Sequence, residues 1–256
     1  MSMPTSDGPA DEPLLSSAIV AELAPDGDLR VAINLGNVVL ASQSPSGEPA
    51  GVTVDLAREL GSRIGRSVRW LTYPTGGAVI PGLAKDHWDV AFLAVEPERA
   101  RDLTFTAPYV LIDGTYLVRG DAPFASVGDV DAAGVRIAVG GGAAYDLALT
   151  RQLQHATLVR APTSAAAIER FLSEKLEAAA GIRQALVNAA AGAPDLRVLP
   201  DSFSRIEQAM AIPKGRPGAA KYLESFLQEM RSSGFVRRAL DRHGQTSATV
   251  AGAGLV

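Results

Sequence analysis

Glu96-Pro97-Glu98-Arg99-Ala100-Arg101-Asp102-Leu103-Thr104-Phe105-Thr106-Ala107-Pro108-Tyr109 directly follows the apolar run Trp88-Asp89-Val90-Ala91-Phe92-Leu93-Ala94. An uninterrupted apolar run of this length reads as a strand buried on both faces, as in a parallel sheet. The charged, proline-bearing segment after it reads as the turn at the strand's carboxyl end. Arg99 stands in that turn. Taken alone, an arginine so placed is a solvated surface charge. A planar guanidinium also meets a carboxylate through two parallel hydrogen bonds, fixing orientation as well as charge.

Three further segments extend the pattern. Leu29-Arg30-Val31-Ala32-Ile33-Asn34 precedes Gly47-Glu48-Pro49-Ala50-Gly51-Val52-Thr53-Val54-Asp55-Leu56. Ile80-Pro81-Gly82-Leu83 leads into Asp89-Val90. Val135-Arg136-Ile137-Ala138-Val139 is followed by Gly140-Gly141-Gly142-Ala143-Ala144. In order and spacing, from about residue 29 to 244, these resemble the family 3 extracellular solute-binding proteins, the receptors of polar amino-acid ABC transporters. The resemblance implies a periplasmic binding protein-like type II fold, with Arg99 clamping the ligand's carboxylate. Two departures stand out. Ala91 and Ala94 replace the family's Ser or Thr before the arginine, and Ala143 and Ala144 replace hydroxyl residues in the second lobe. The family's second-lobe aspartate, which holds an α-ammonium, aligns near Ile182, beside Arg183. Asn37 replaces an aromatic of the first ligand loop.

The periodicity gives a coarse element order. Strands are expected at 29–34, 68–73, 90–94, 111–118, 135–139, 157–160, 176–180 and 196–199. Helices are expected at 54–64, 78–84, 144–153, 164–173, 183–190, 219–230 and 235–242, with Thr53 capping the first and Gly65 ending it. Two tandem strand–helix units imply an α/β chain of two doubly wound parallel-sheet lobes. The resemblance brings the final helices back onto lobe one, so the chain crosses twice through a hinge. The resulting division is residues 1–28 as an N-terminal tail with a short helix, 29–114 and 207–246 as lobe one, 115–206 as lobe two and 247–256 as a C-terminal tail.

Ligands of such sheets bind at the strands' carboxyl ends. That places Asn34, Asn37, Gly76, Ala94 and Arg99 on one side of an interlobe cleft. Gly142, Ala143, Ala144, Tyr145, Thr163 and Arg183 lie on the other. Arg183 either enters the cleft, or points outward or pairs with Glu177. The Gly140-Gly141-Gly142 turn fails the dinucleotide pattern at Tyr145 and offers a helix N-terminus suited to an anion.

Composition narrows the function classes. Of 256 residues, 47% are hydrophobic and 20% charged, a globular balance, and the net charge of −4 gives no basic field for nucleic acid. No apolar run is long enough for membrane insertion. There is no cysteine, and the three histidines are scattered without metal spacing. No metal or cofactor is expected. The polar stretch Met1–Pro13 has no basic start and apolar core, so it is not a secretory signal and reads as a disordered tail. The resemblance implies a periplasmic location; a native Met1 implies a cytoplasmic one. The expected function is a monomeric receptor for a small carboxylate-bearing ligand, an amino acid or related anion, working with an ABC permease and catalysing nothing. The alternatives are a dehydratase or lyase on the same scaffold, resembling cyclohexadienyl dehydratase, with Glu96 as its acid, and a cytoplasmic sensor module.

Overall fold

The computed structural model describes residues 15–252, so the tail read over Met1–Pro13 lies outside the described residues. The chain opens with α1 (Ser17–Leu23), capped by the Ser16 hydroxyl, which accepts from the Ile19 N–H. Then come β1 (Leu29–Asn34), the hairpin strands β2 (Ser42–Gln43) and β3 (Pro49–Ala50), and α2 (Val52–Ile64). They are followed by β4 (Val68–Tyr73), α3 (Gly76–Leu83) and β5 (Val90–Ala94). A 3-10 turn at Arg99–Arg101 leads into β6 (Leu103–Phe105) and the long β7 (Val110–Arg119).

The second unit runs β8 (Arg136–Gly140), α4 (Ala144–Gln152), β9 (Thr157–Ala161), α5 (Ser164–Ser173), β10 (Ala178–Ile182), α6 (Arg183–Ala190) and β11 (Leu196–Val198). The long β12 (Ser204–Pro213) returns to the first, followed by α7 (Pro217–Ser232), α8 (Phe235–Arg242) and β13 (Thr249–Val250).

The main sheet runs β4-β1-β5-β12-β7-β10-β8-β9. In the first half β1 pairs in parallel with β4 and β5, and in the second β8 pairs in parallel with β9 and β10. The central strands β5 and β10 are buried along their whole length, as parallel strands covered by helices on both faces must be. The final helices return to the first half, α8 against α2 and α7 against α1 and β12. These are two α/β lobes, the first built from both ends of the chain.

The sequence reading expects two separate sheets. Instead the hydrogen-bond ladder runs through both. The strands that cross between lobes, β7 and β12, pair with each other antiparallel at Val110–Gly114 and Ser204–Gln208. Beyond that stretch β12 pairs with β5, and β7 pairs with β10.

The start of α2 also differs. Its N-cap is Gly51 at φ +125°, where any Cβ would run into the Leu40 carbonyl. Thr53 lies inside the helix, and its hydroxyl donates to that carbonyl at 3.1 Å. Downstream, Leu56, Leu60 and Ile64 are buried against the first lobe. Each contributes roughly 1.5–3 kcal/mol. Gly65 ends the helix at φ +65°, as expected.

Candidate functional site

Three strand ends converge on one interlobe cavity: Asn34 of β1, Ala94 of β5 and Ile182 of β10. The cavity is lined from lobe one by Asn34, Gly36, Asn37, Thr75, Gly76, Ala94 and Arg99. Ala143, Ala144, Tyr145, Ser164 and Ile182 line it from lobe two, and Ile206 and Gln208 from the crossing strand β12.

Arg99 is 5% exposed. The 3-10 turn folds its side chain back over the end of β5, so that Nη1 donates to the Ala94 carbonyl at 3.1 Å. Nη2 donates across the cleft to the Gly142 carbonyl, also at 3.1 Å. Burial pulls its proton affinity below the usual arginine value, and Glu96 and Glu98 offset this only in part. Neither acid pairs with it. Arg151, on α4 of lobe two, takes both, at 2.7 Å to Glu96 and 3.0 Å to Glu98. Among the described residues no carboxylate forms an ion pair with Arg99. A buried guanidinium without a counter-charge is costly unless an anion joins it.

Four helices start at the cavity: α3 after its cap Thr75, α4 after Ala143, α5 after Thr163 and α6 after Ile182. Thr75 and Thr163 accept from backbone N–H groups of their own helices, at 3.1 Å each. Ala143 and Ile182 offer no side-chain cap, so the first N–H groups of α4 and α6 stay available. Each terminus carries partial positive charge towards the cavity. Tyr145 is buried, its hydroxyl donating to Ser164 Oγ at 2.8 Å; burial raises its pKa.

The lobes touch through backbone as well. A Cβ on Gly77 would lie 3.1 Å from the Gly142 Cα and 3.2 Å from its carbonyl oxygen. Gly142 itself sits at φ +72°. A Cβ on Gly76 would lie 3.1 Å from Arg99 Nη2.

Of the residues singled out from sequence, Asn34, Asn37, Gly76, Ala94, Arg99, Ala143, Ala144 and Tyr145 come together here. Gly142 adjoins them through its bond to Arg99. Thr163 does not line this cavity; it borders a neighbouring apolar groove with Leu35, Val38 and Ile168. Arg183 is turned away. Its guanidinium donates to the carbonyls of Leu199, Pro200 and Asp201, which lie outside the ladder. Glu177 sits next to the opposite end of β10 and pairs with Arg136 at 2.9 Å.

Thr75, Ser164, Ile206 and Gln208 were not foreseen. Gln208 carried a signal: a lone amide beside the apolar run Ala209-Met210-Ala211-Ile212.

Among the described residues no cluster of three or more His, Cys, Asp or Glu could hold a metal, and no helix is long and apolar enough to cross a membrane.

Comparison with solved structures places this architecture among binding proteins. The P235GK mutant of ArgBP from T. maritima superposes with a TM-score of 0.76 at 22% identity, covering 88% of this chain and 99% of that one. A putative ABC-transporter binding component from Wolinella succinogenes, complexed with lysine, gives 0.74 at 25% identity, covering 85% and 95%. The ancestral amino acid-binding protein AncCDT-1, a precursor of cyclohexadienyl dehydratase, gives 0.74 at 23%, covering 87% and 98%. No curated protein matches the sequence. The model of the bacterial extracellular solute-binding proteins, family 3, matches residues 29–246, and the chain belongs to that family.

Proposed function

We infer that the protein is a receptor that closes its two lobes over a small carboxylate, an amino acid or a related organic anion, and passes it to an ABC permease. The observation that carries this reading is Arg99, buried between the lobes without a carboxylate partner. A ligand carboxylate would supply the counter-charge and tie β5's turn to the N-terminus of α4. Contacts to both lobes stabilise the closed form by their differential affinity, and nothing is chemically changed. The lobe boundaries lie within the crossing strands, near residues 114 and 207. The lysine complex of the Wolinella relative supports a ligand of amino-acid size.

The dehydratase reading needs an acid in the cavity with a raised pKa. Glu96 is paired with Arg151 and is not among the lining residues, which favours binding over catalysis. A thermal-shift screen of amino acids and small carboxylates tests the proposal, because a ligand bound only by the folded state raises the melting temperature. A shift that vanishes in Arg99→Ala is expected. No shift with any carboxylate would overturn it.

A further inference from the structure

The geometry points to a ligand that is a 2-oxo or 2-hydroxy acid, a carboxylate with an oxygen rather than an ammonium at the α position. This rests on the receptor reading and deepens it. Among the described residues, the cavity wall contains one formal charge, that of Arg99, and no acidic side chain. The nearby acids are committed elsewhere: Glu96 and Glu98 to Arg151, and Asp146 to Arg160 at 3.0 Å and to the Gly142 N–H at 2.9 Å. The uncapped starts of α4 and α6 add positive potential on the facing wall. A monocarboxylate neutralises this field. A zwitterion brings a second positive charge into it with no counter-charge to meet, a desolvation that the protein leaves uncompensated.

The polar groups that remain suit an uncharged oxygen. Gln208 is 5% exposed, lines the cavity, and its side-chain amide has no hydrogen-bond partner among the described residues. Asn37 is also buried; its Oδ1 accepts from the Val39 N–H at 3.3 Å, leaving the amide N–H₂ to donate. Asn34 is arranged alike, with Oδ1 accepting from the Gly36 N–H at 3.0 Å. The side-chain oxygens of Asn34 and Asn37 are thus partly occupied, while their donors are unspent. Ile182, Ile206, Ala94, Ala143 and Ala144 supply an apolar surround for a neutral carbon skeleton.

Calorimetry on the full chain with matched sets decides it: alanine, pyruvate and lactate; glutamate and 2-oxoglutarate; leucine, its 2-oxo acid and its 2-hydroxy acid. In the set that binds best, the oxygen-bearing acid is expected to bind roughly 30-fold or more tighter than its amino twin. Ile182→Asp, which adds an acid to the lobe-two wall, is expected to move the preference towards the amino acid by about tenfold or more. Tight binding of an amino acid with no heat from its twins would overturn this inference and leave the receptor reading standing. An Ile182→Asp protein with unchanged preference would likewise overturn the charge argument. Absence of binding by every acid in all sets would overturn both.

Discussion

At the scale of single residues, the site turns on Arg99 and on two glycines. Arg99→Ala removes a charge-assisted partner from a buried carboxylate, a loss of about 2–5 kcal/mol or roughly 30- to 5,000-fold in affinity. Titration calorimetry should show that loss while the melting temperature of the free protein holds, since truncation also removes an uncompensated buried charge. Arg99→Lys should bind worse than wild type too, because an ammonium cannot reproduce the two-pronged bond. Gly77→Ala separates closure from folding. Its backbone is not at positive φ, and alanine is a better helix former than glycine in this first turn of α3. Yet the added methyl would meet the Gly142 backbone across the cleft. The expected result is an unchanged or higher melting temperature with affinity weakened by about tenfold or more, because only the closed form is penalised. Equal affinity in this variant would mean that the ligand-bound lobes stand further apart than they do here.

At the scale of elements, Arg151 near the end of α4 joins lobe two to the segment after β5 through Glu96 and Glu98. The pair to Glu96 is the stronger part, since Glu96 is buried and Glu98 only half-buried. Arg151→Ala should speed ligand release several-fold with little change in association, read by stopped-flow. Its effect should shrink at high salt, where the half-exposed pair is screened. Elements of this kind divide into those legible in sequence and those not. A strand such as β5 was readable because an apolar run admits few alternatives. So was α5, whose apolar spacing marks one face. The start of α2 was not, because Thr53 looks like a cap until the left-handed Gly51 is seen to occupy that role. Nor was β12, whose first half alternates Ser204, Arg205, Ile206 and Glu207 and gives no continuous apolar signal. Arg99 was found because its turn has a pattern. Arg183 was misplaced because a long guanidinium can bend either way from a helix start. The carbonyls of Leu199, Pro200 and Asp201, with Ser202 Oγ and the Asp113 carboxylate, decide its direction. Gln208 was missed with its strand.

At the scale of the whole molecule, acid sensitivity can be signed. Glu98, Asp129, Asp131, Glu177 and Glu229 are all held below the ordinary carboxylate range. The leading cause is a backbone N–H for Glu98, Asp129 and Asp131, the Arg136 side chain for Glu177 and the Arg63 side chain for Glu229. Groups depressed on folding contribute stability that is complete above their unfolded pKa and is lost as pH falls through the folded one. The melting temperature should therefore be flat from about pH 8 to 5 and fall below about pH 4. A maximum near pH 4 would contradict this.

The crossing pair β7 and β12 has a mechanical consequence. A hinge made of loops swivels freely. Here the lobes hang from one ladder, with Gly114, Asp113 and Ile112 set against Ser204, Arg205 and Ile206. Opening must then be a change of twist in a bonded ribbon, a torsion spring rather than a pivot. Amide exchange at 204–208 should stay slow with or without ligand, while the starts of α3 and α4 respond to it. Ile206 belongs to both the ribbon and the cavity wall. Whatever fills the cavity therefore leans on the ribbon itself.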